Sequence, residues 1–183
     1  PKDIQFQTGT YIGPDTVKHK SYRPKLKANI DNIDDALKLI ADAEKPIFYT
    51  GGGVINSGNA AVQLLREFVR LTGFPITSTL QGLGAFPGDD TQFVGMLGMH
   101  GTYEANMAMN ECDLMINIGA RFDDRITGKI DEFSPNSKKI HIDIDPSSIN
   151  KVVNVDVALV GDVAHVLEDA IKPVSYTHLR AHE

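Results

Sequence analysis

The chain has 183 residues, 42% of them apolar and 23% charged, a composition typical of one globular domain with a full hydrophobic core. Its net charge of −6, without any block of lysine and arginine, argues against nucleic acid as a partner. The longest apolar runs are far shorter than the roughly 20 residues of a membrane span. The single cysteine allows neither an internal disulfide nor a cysteine-based metal site, so we expect a soluble, intracellular protein.

The N-terminal segment, which opens PKDIQFQTGT, is rich in Pro, Lys, Thr and Tyr and shows no sustained periodicity. It predicts an extended interdomain linker over residues 1–30 that covers the surface of the domain behind it. Because the sequence starts without methionine and in a charged stretch, we expect it to be a piece of a longer protein. The domain itself is predicted over residues 31–173.

Helices and strands alternate from residue 31 onward. NIDDALKLIADA has acidic residues in its first turn and four apolar residues at helical spacing: Ile33, Ala36, Leu37 and Ile40. PIFYT (46–50) predicts a short buried strand, which GGG (51–53) ends. The next helix runs through AAVQLLREFVRL, with Ser57 predicted as its N-cap and Gly73 as its stop.

The same alternation continues to the end of the predicted domain. Four further strands are predicted at PITST (75–79), DLMINIG (113–119), KKIHIDID (138–145) and VDVALVGD (155–162). TYEANMAMNEC and DVAHVLEDAIK predict helices, and LQGLGAFPGDD predicts a loop. Short strands with little polar alternation, separated by helices, are typical of a parallel sheet covered on both faces. The predicted fold class is therefore α/β, with a Rossmann-like six-stranded parallel sheet.

The last ten residues, VSYTHLRAHE (174–183), do not continue this pattern. The helix before them is expected to stop after Lys172 and Pro173. His178 and His182 stand four residues apart, a spacing that could put two imidazoles on one helix face for a metal ion. The sequence offers no third ligand, and a cloning or read-through tail is the preferred interpretation, so this segment is left out of the fold prediction.

Candidate binding residues are those that follow the predicted strands, because open parallel sheets bind ligands beyond the carboxyl ends of their strands. The stretches at these positions are GGG, LQGLG, GARFDDR, DID and GD. Glycine lets the backbone approach a ligand and exposes N–H groups to phosphate oxygens. Aspartate accepts hydrogen bonds from ribose or ribityl hydroxyls, and arginine donates to phosphate. Together these stretches predict a dinucleotide lying across the edge of the sheet.

Each stretch alone has a purely structural alternative. GGG could be a plain turn, Asp143 and Asp145 could cap a loop, and GARFDDR could be a surface salt-bridge cluster. Met96 and Met99 are also typical of core packing, and His100 could be a loop histidine. GLGAF lacks the spacing of a GxGxxG fingerprint, so an NAD motif is not established. The hypothesis depends on all these stretches meeting at one edge of one sheet.

GMLGMHGTYEAN, GARFDDRITGKIDEF and KKIHIDIDPSSINK closely resemble the central domain of the large catalytic subunit in the acetolactate synthase (acetohydroxyacid synthase) family. GGGVINSG, STLQGLGAFP and PKDIQ fit the same family in the same order, so the resemblance covers residues 1–173. It implies a thiamine-diphosphate-dependent transferase that decarboxylates pyruvate and condenses the product with pyruvate or 2-ketobutyrate in branched-chain amino-acid (valine, leucine, isoleucine) biosynthesis. It also implies that this domain binds FAD, whereas thiamine diphosphate and Mg²⁺ bind to other domains of the parent enzyme. The isolated chain is thus expected to be inactive, with no catalytic or metal-binding residues of its own.

The resemblance further implies which residues contact FAD. After the first two strands these are Gly51, Gly52, Gly53, Thr79, Leu80 and Gln81. A further wall is formed by Leu97, Gly98, Met99, His100 and Gly101. The ribityl–diphosphate region would be held by Gly119, Arg121, Asp123 and Arg125. The adenosine end would be bracketed by Asp143, Ile144, Gly161, Asp162 and Val163. In addition, Asp124 and Arg125 are implied to line the substrate channel.

Partners implied by the resemblance are 2-ketoacid substrates, further copies of the chain in a homo-oligomer, and a small regulatory subunit. The implied location is the bacterial cytoplasm, or the plastid for a plant protein. Alternatives are another enzyme of the thiamine class, of the glyoxylate carboligase or pyruvate oxidase type, a stand-alone nucleotide-binding module, or a domain whose cleft has decayed. RFDDRITG favours acetolactate synthase over the first alternative, and the intact Gly, Arg and Asp stretches argue against the last.

Overall fold

The computed structural model describes residues 2–13 and 24–180. In this part of the chain six strands form one sheet: β1 (Pro46–Thr50), β2 (Ile76–Ser78), β3 (Phe93–Met96), β4 (Leu114–Ile118), β5 (Lys138–Asp143) and β6 (Val157–Val160). Their order is β3-β2-β1-β4-β5-β6, and all neighbouring strands are parallel. This is the strand order of doubly wound dinucleotide-binding folds, and it confirms the predicted fold class.

Helices cover both faces of the sheet. In chain order they are α1 (Lys2–Gln5), α2 (Ile30–Asp42), α3 (Gly52–Ser57), α4 (Asn59–Thr72), α5 (Tyr103–Glu111), α6 (Asp124–Thr127) and α7 (Val163–Arg180). Short 3₁₀ turns lie at Leu80–Gly82, Ile130–Glu132 and Pro146–Ser148. No helix in the described ranges is long and apolar enough to cross a membrane.

The two faces of the sheet carry separate apolar cores because successive strand residues point to opposite sides. In β4, Leu114 and Ile116 enter a large core that α2, α4 and α7 complete, whereas Met115 enters a smaller core. That smaller core is completed by α5 and by loop residues such as Phe122 and Val153. The face that bears α5 thus depends on loops for much of its cover.

A buried polar row crosses the sheet on the face of the smaller core. Thr77, Tyr49, Asn117 and His141 pair in register across β2, β1, β4 and β5. All four are 0% exposed. Buried polar groups are costly unless they are hydrogen-bonded, so this row requires defined partners on the loops above it.

The sequence predicted a sheet of six strands but located only five of them, and β3 is the strand that was missed. Its four residues are only half-buried, and Gly95 within it has a positive φ of 99°. The pairing with β2 shifts register between Ile76 and Ser78. An edge strand with an internal glycine and a bulge lacks the continuous apolar run that identifies a buried strand.

Ser57 does not cap the helix predicted after it. It is the last residue of α3, a short helix over most of the predicted GGG turn, and Gly58 occupies the N-cap of α4. The φ of Gly58 is 96°, a conformation that a serine would adopt only with strain. The predicted stop at Gly73 is confirmed, since Gly73 ends α4 in the left-handed conformation.

The two ends of the chain differ from the prediction as well. A short helix, α1, lies inside the predicted extended linker, and α7 continues through Pro173 to Arg180 instead of stopping there. Proline removes one backbone donor and crowds the preceding turn, which favours a helix end on local grounds alone but does not forbid continuation. The hypothetical metal pair His178 and His182 lies outside the residues and side chains that the structure describes.

Candidate functional site

β1 and β4 are neighbours at the centre of the sheet, and the chain leaves their carboxyl ends in opposite directions. From β1 the chain continues to β2 on one side, whereas β4 leads on to β5 and β6 on the other side. Such a switch point leaves the crevice in which open parallel sheets bind their ligands. A cleft of about 920 Å³ opens there, within the range of about 300–1,000 Å³ typical of small-molecule and cofactor sites.

Most of the predicted cofactor-binding residues line this cleft. Those after β1 and β2 are Gly51, Gly52, Gly53, Thr79, Leu80 and Gln81. Those after β4, β5 and β6 are Gly119, Arg121, Asp123, Arg125, Asp143, Ile144, Asp162 and Val163. The predicted meeting of these strand ends at one edge is thus confirmed, while their contact with a cofactor stays a prediction.

The cleft also has lining residues that were not predicted: Tyr49, Ile55, Asn56, Ser57, Ala120 and Ile126. Ile55, Asn56 and Ser57 belong to α3, which was not predicted because its glycine-rich start is typical of a turn. Tyr49 lies inside β1 and carries no local signal of a binding role. Alternation along PIFYT could have placed Tyr49 and Thr50 on opposite faces, but it could not show which face borders the cleft.

The predicted wall of residues 97–101 does not line the cleft. Leu97 is buried beside a second cavity of about 230 Å³ between α5 and α6. Met99 is 62% exposed, so its interpretation as core filler is wrong, and its N–H donates to the Arg125 carbonyl at 2.9 Å. Gly98, with a φ of 95°, and His100, which is exposed, lie in the same turn. A Cβ on Gly101 would overlap the backbone of residues 96–97, so close chain packing explains this glycine.

Asp124 likewise lies outside the lining of the cleft. Its side chain is 78% exposed, with Oδ2 4.0 Å from Nη1 of Arg125, whose side chain is 68% exposed. This pair matches the alternative of a surface salt bridge, and such exposed pairs contribute little to stability. Of the two predicted substrate-channel residues, the structure places only Arg125 at the cleft.

Two glycine-rich backbones cross at the base of the cleft. The N–H of Gly51 donates to the Ile118 carbonyl and the N–H of Gly53 donates to the Gly119 carbonyl, both at 2.9 Å. A Cβ on Gly53 would lie 2.6 Å from Cα of Gly119, and a Cβ on Gly119 would lie 2.7 Å from Cα of Gly53. Glycine is required here because the two backbone segments are in contact and leave no room for a side chain. The outer side of each segment remains open to a ligand.

The loop after β4 presents its charges to the cleft by burying one aromatic ring. Phe122 is 1% exposed and packs against Tyr49 and His141, with ring centroids 5.8 and 5.1 Å apart. Its φ of 56° is unusual for a bulky residue and reverses the chain. Because Phe122 points inward, its neighbours Arg121 and Asp123 point outward and line the cleft.

Asp123 also begins α6. Its carboxylate accepts from the Arg125 N–H at 3.2 Å and thereby caps the helix. This backbone hydrogen bond is the main reason that the pKa of Asp123 lies below its ordinary value, and the positive charges of Arg121 and Arg125 lower it further. The stretch GARFDDR therefore combines a helix cap with two arginines that face the cleft.

The opposite end of the cleft is formed by capping aspartates. Asp143 accepts from the Asp145 N–H at 2.8 Å, so the loop-capping alternative is correct for it. Asp162 accepts from the Ala164 N–H at 3.0 Å at the start of α7 and from the Ser57 hydroxyl at 2.9 Å. Both carboxylates line the cleft despite these bonds, and each retains lone pairs for ligand hydroxyls.

Part of the predicted linker borders this end of the cleft. The Lys25 N–H donates to the Ile144 carbonyl at 3.3 Å, and the Asp162 N–H donates to the Leu26 carbonyl at 3.0 Å. A Cβ on Gly161 would lie 2.9 Å from the backbone nitrogen of Ala28. Gly161 does not line the cleft, and passage of the linker accounts for this glycine.

Tyr49 places a buried phenol beside the cleft. Its hydroxyl is one of three buried side-chain atoms in the described part of the chain that have no hydrogen-bond partner there, with Thr127 Oγ1 and His141 Nδ1. Burial is the main reason that the pKa of Tyr49 lies above its ordinary value, and the Asp123 charge adds to it. Tyr49 is therefore a neutral group that can still accept or donate a hydrogen bond.

The cleft fits a nucleotide with phosphate groups. Two arginines supply forked cationic donors, the glycine crossing exposes backbone, and aspartates at the far end can accept from sugar hydroxyls. Exposed apolar side chains, Leu80 at 66% and Ile55 at 42%, offer a surface for a flat ring. Among the described residues no group of three or more His, Cys, Asp or Glu side chains is arranged for a metal ion.

The strand order and the cleft at its switch point define a doubly wound α/β domain. The chain belongs to the family of thiamine pyrophosphate enzyme central domains, because the family model "Thiamine pyrophosphate enzyme, central domain" matches residues 33–170. This membership places the chain in the thiamine-dependent class that the sequence motifs indicated.

Individual relatives are acetolactate synthase large subunits. The chain is 46% identical over 174 residues to that of Buchnera aphidicola subsp. Schizaphis graminum, covering 94% of this chain and 30% of the relative. It is 44% identical over 177 residues to isozyme 3 of Escherichia coli K12, covering 96% and 30%. It is 48% identical over 159 residues to that of Haemophilus influenzae, covering 87% and 27%. The chain thus spans under a third of the length of these curated relatives, and the predicted resemblance is confirmed.

Proposed function

We propose that this chain is the FAD-binding central domain of an acetolactate synthase large subunit. The observation that carries the proposal is the cleft at the switch point, which Arg121 and Arg125 line together with the two glycine-rich backbone segments that cross there. The similarity to acetolactate synthase large subunits supports the choice of enzyme. A dinucleotide is favoured over a mononucleotide because polar groups line the cleft from β2 to β6.

The arginines are proposed to hold the diphosphate of FAD, because one guanidinium group can donate two parallel hydrogen bonds to phosphate oxygens. Asp143 and Asp162 would accept hydrogen bonds from sugar hydroxyls at the adenosine end. Leu80 would cover part of the flavin ring. The proposed condensation involves no net oxidation or reduction, so the residues of the cleft would hold FAD without any electron transfer being required of it.

The parent enzyme is proposed to decarboxylate pyruvate and to join the product to pyruvate or 2-ketobutyrate. Thiamine diphosphate and Mg²⁺ would be bound by its other domains, so this chain alone is expected to be inactive. We further propose that the parent forms a homo-oligomer and binds a small regulatory subunit. The bacterial relatives favour a bacterial cytoplasmic enzyme over a plastid one.

Binding of FAD can be tested on the chain itself. Titration of FAD with the protein is expected to quench flavin fluorescence saturably, and FMN, which lacks the adenosine half, is expected to bind at least tenfold more weakly. NAD serves as the competitor for a nicotinamide site. Unchanged FAD fluorescence together with displacement of a labelled nucleotide by NAD would instead support a nucleotide-binding module of another kind.

The enzyme proposal requires the complete gene product. Sequencing the genomic DNA on both sides of this segment is expected to show a domain with the thiamine-activating glutamate upstream and a GDG motif followed by asparagines downstream. The purified product is then expected to form acetolactate from pyruvate and acetohydroxybutyrate from pyruvate plus 2-ketobutyrate. Activity with glyoxylate alone, or oxygen-dependent oxidation of pyruvate, would assign it to another thiamine enzyme.

A further inference from the structure

We propose that Asn117 and His141 are positioning residues that hold the Ala120 carbonyl and so present Arg121 to the phosphate groups of a ligand. Neither residue lines the cleft, and both belong to the buried polar row across the sheet. The inference rests on the proposed function of the cleft. It explains why Asn117 and His141 are polar although they are buried and do not line the cleft.

The contacts converge on the backbone of a single residue, Ala120. The Ala120 carbonyl accepts from Asn117 Nδ2 and from His141 Nε2, each at 2.9 Å, and the Ala120 N–H donates to Asn117 Oδ1 at 3.0 Å. Three hydrogen bonds with two fully buried side chains therefore fix the residue directly before Arg121. Residues with apolar side chains are the ordinary occupants of such doubly covered strands, so two buried polar residues require a reason.

The residue after Arg121 is fixed too. Phe122 is buried with a positive φ, and its ring packs on that of His141. Arg121 is thus exposed between two immobilised neighbours, which reduces the entropy that its backbone would lose on binding an anion. The bond to Ala120 also sets the histidine tautomer, because Nε2 must carry the proton in order to donate.

A double-mutant cycle on the chain separates positioning from general stabilisation. We expect His141→Phe, which keeps a ring against Phe122 but loses the donor, to weaken FAD binding about tenfold, the order of one well-placed charge-assisted contact. ADP, used as a competitor of FAD, should weaken to the same extent. Adenosine, which lacks only the diphosphate, should keep its affinity within about twofold. His141→Gln restores an amide donor and should recover most of the lost affinity.

The cycle is completed by Arg121→Ala. Once Arg121 is absent, His141→Phe should have little further effect on FAD binding, because the two changes remove the same contact. Equal weakening of ADP and adenosine by His141→Phe, or full additivity with Arg121→Ala, would overturn the positioning role. If His141→Phe does not fold, Asn117→Leu carries the same test, because leucine has nearly the shape of asparagine but no polar atom that could bond to Ala120. If the unmodified chain binds neither FAD nor ADP, the proposed function itself fails, and the inference fails with it.

Discussion

Ser57 and Asp162 lie 105 residues apart in the chain, yet the Ser57 hydroxyl donates to both carboxylate oxygens of Asp162 at 2.9 Å. The bond joins the end of α3 to the start of α7 and so closes one wall of the cleft. The Asp162 side chain is only 19% exposed, which limits the replacement of this bond by water.

We predict that Ser57→Ala lowers the free energy of unfolding by about 1.5 kcal/mol, the usual contribution of a hydrogen bond to a charged group. Urea denaturation followed by circular dichroism measures the change. Thr91→Ala is the control, because Thr91 is exposed in a loop and a surface substitution should change stability by less than about 0.5 kcal/mol. Equal effects of the two variants would show that the hydrogen bond between Ser57 and Asp162 makes no net contribution to the free energy of unfolding.

Gly53→Ala tests the crossing of the two backbones. The new Cβ would overlap the backbone of Gly119, which cannot move without disturbing β4, so we expect destabilisation of about 3 kcal/mol or loss of folding. Gly88→Ala is the matched control, because a Cβ there meets nothing within 4 Å. At such an open position alanine should be neutral or stabilise by up to about 1 kcal/mol. A Gly53→Ala variant as stable as the control would contradict the observed crossing.

Gly161→Ala tests the contact between the linker and the sheet edge. A Cβ would meet the backbone at Ala28 and Lys27, at 2.9 and 3.3 Å. We expect the linker to be displaced and trypsin to cleave after Lys25 and Lys27 several times faster than in the unmodified chain. Mass spectrometry of the fragments identifies the cut sites, and Gly88→Ala should leave the rate unchanged. Faster cleavage throughout the chain would instead indicate general loss of stability.

The buried His141 predicts a pH dependence of stability. Burial is the main reason that its pKa lies below 6.5, with the Asp143 charge and the bond to Ala120 acting in the opposite direction. The unfolded chain therefore binds more protons than the folded chain below about pH 6.5, so stability falls on acidification and is fully present above that pH.

Urea denaturation between pH 5 and pH 8 measures this dependence. His141→Gln should remove a large part of the slope between about pH 5 and pH 6.5, since the group that takes up the proton on unfolding is gone. His100→Gln is the control, because His100 is exposed in a loop, and this variant should keep the slope. An unchanged slope in His141→Gln would mean that other groups govern the acid response.

Much of the site could be predicted because it follows strands that are unmistakable in the sequence. PIFYT and DLMINI are short apolar runs without polar alternation. The glycine and charged residues directly after them line the cleft. Residues 97–101 do not line the cleft, and their predicted contact with a cofactor stays a prediction. Their position was hard to predict because β3 before them is a half-buried edge strand that no apolar run marks. An uncertain strand leaves the position of the loop after it undetermined.

The sequence by itself determined the alternation of helices and strands, the parallel sheet and the polar, glycine-rich character of its carboxyl edge. These follow from local periodicity and from residue chemistry, which neighbours in the chain carry. Only the tertiary structure decided the strand order, the contact of Gly53 with Gly119, the alignment of Tyr49, Asn117 and His141, and the link from Ser57 to Asp162. Each of these joins residues that are distant in the chain, and their meeting depends on how crossovers and helices pack over the sheet, which no local pattern encodes.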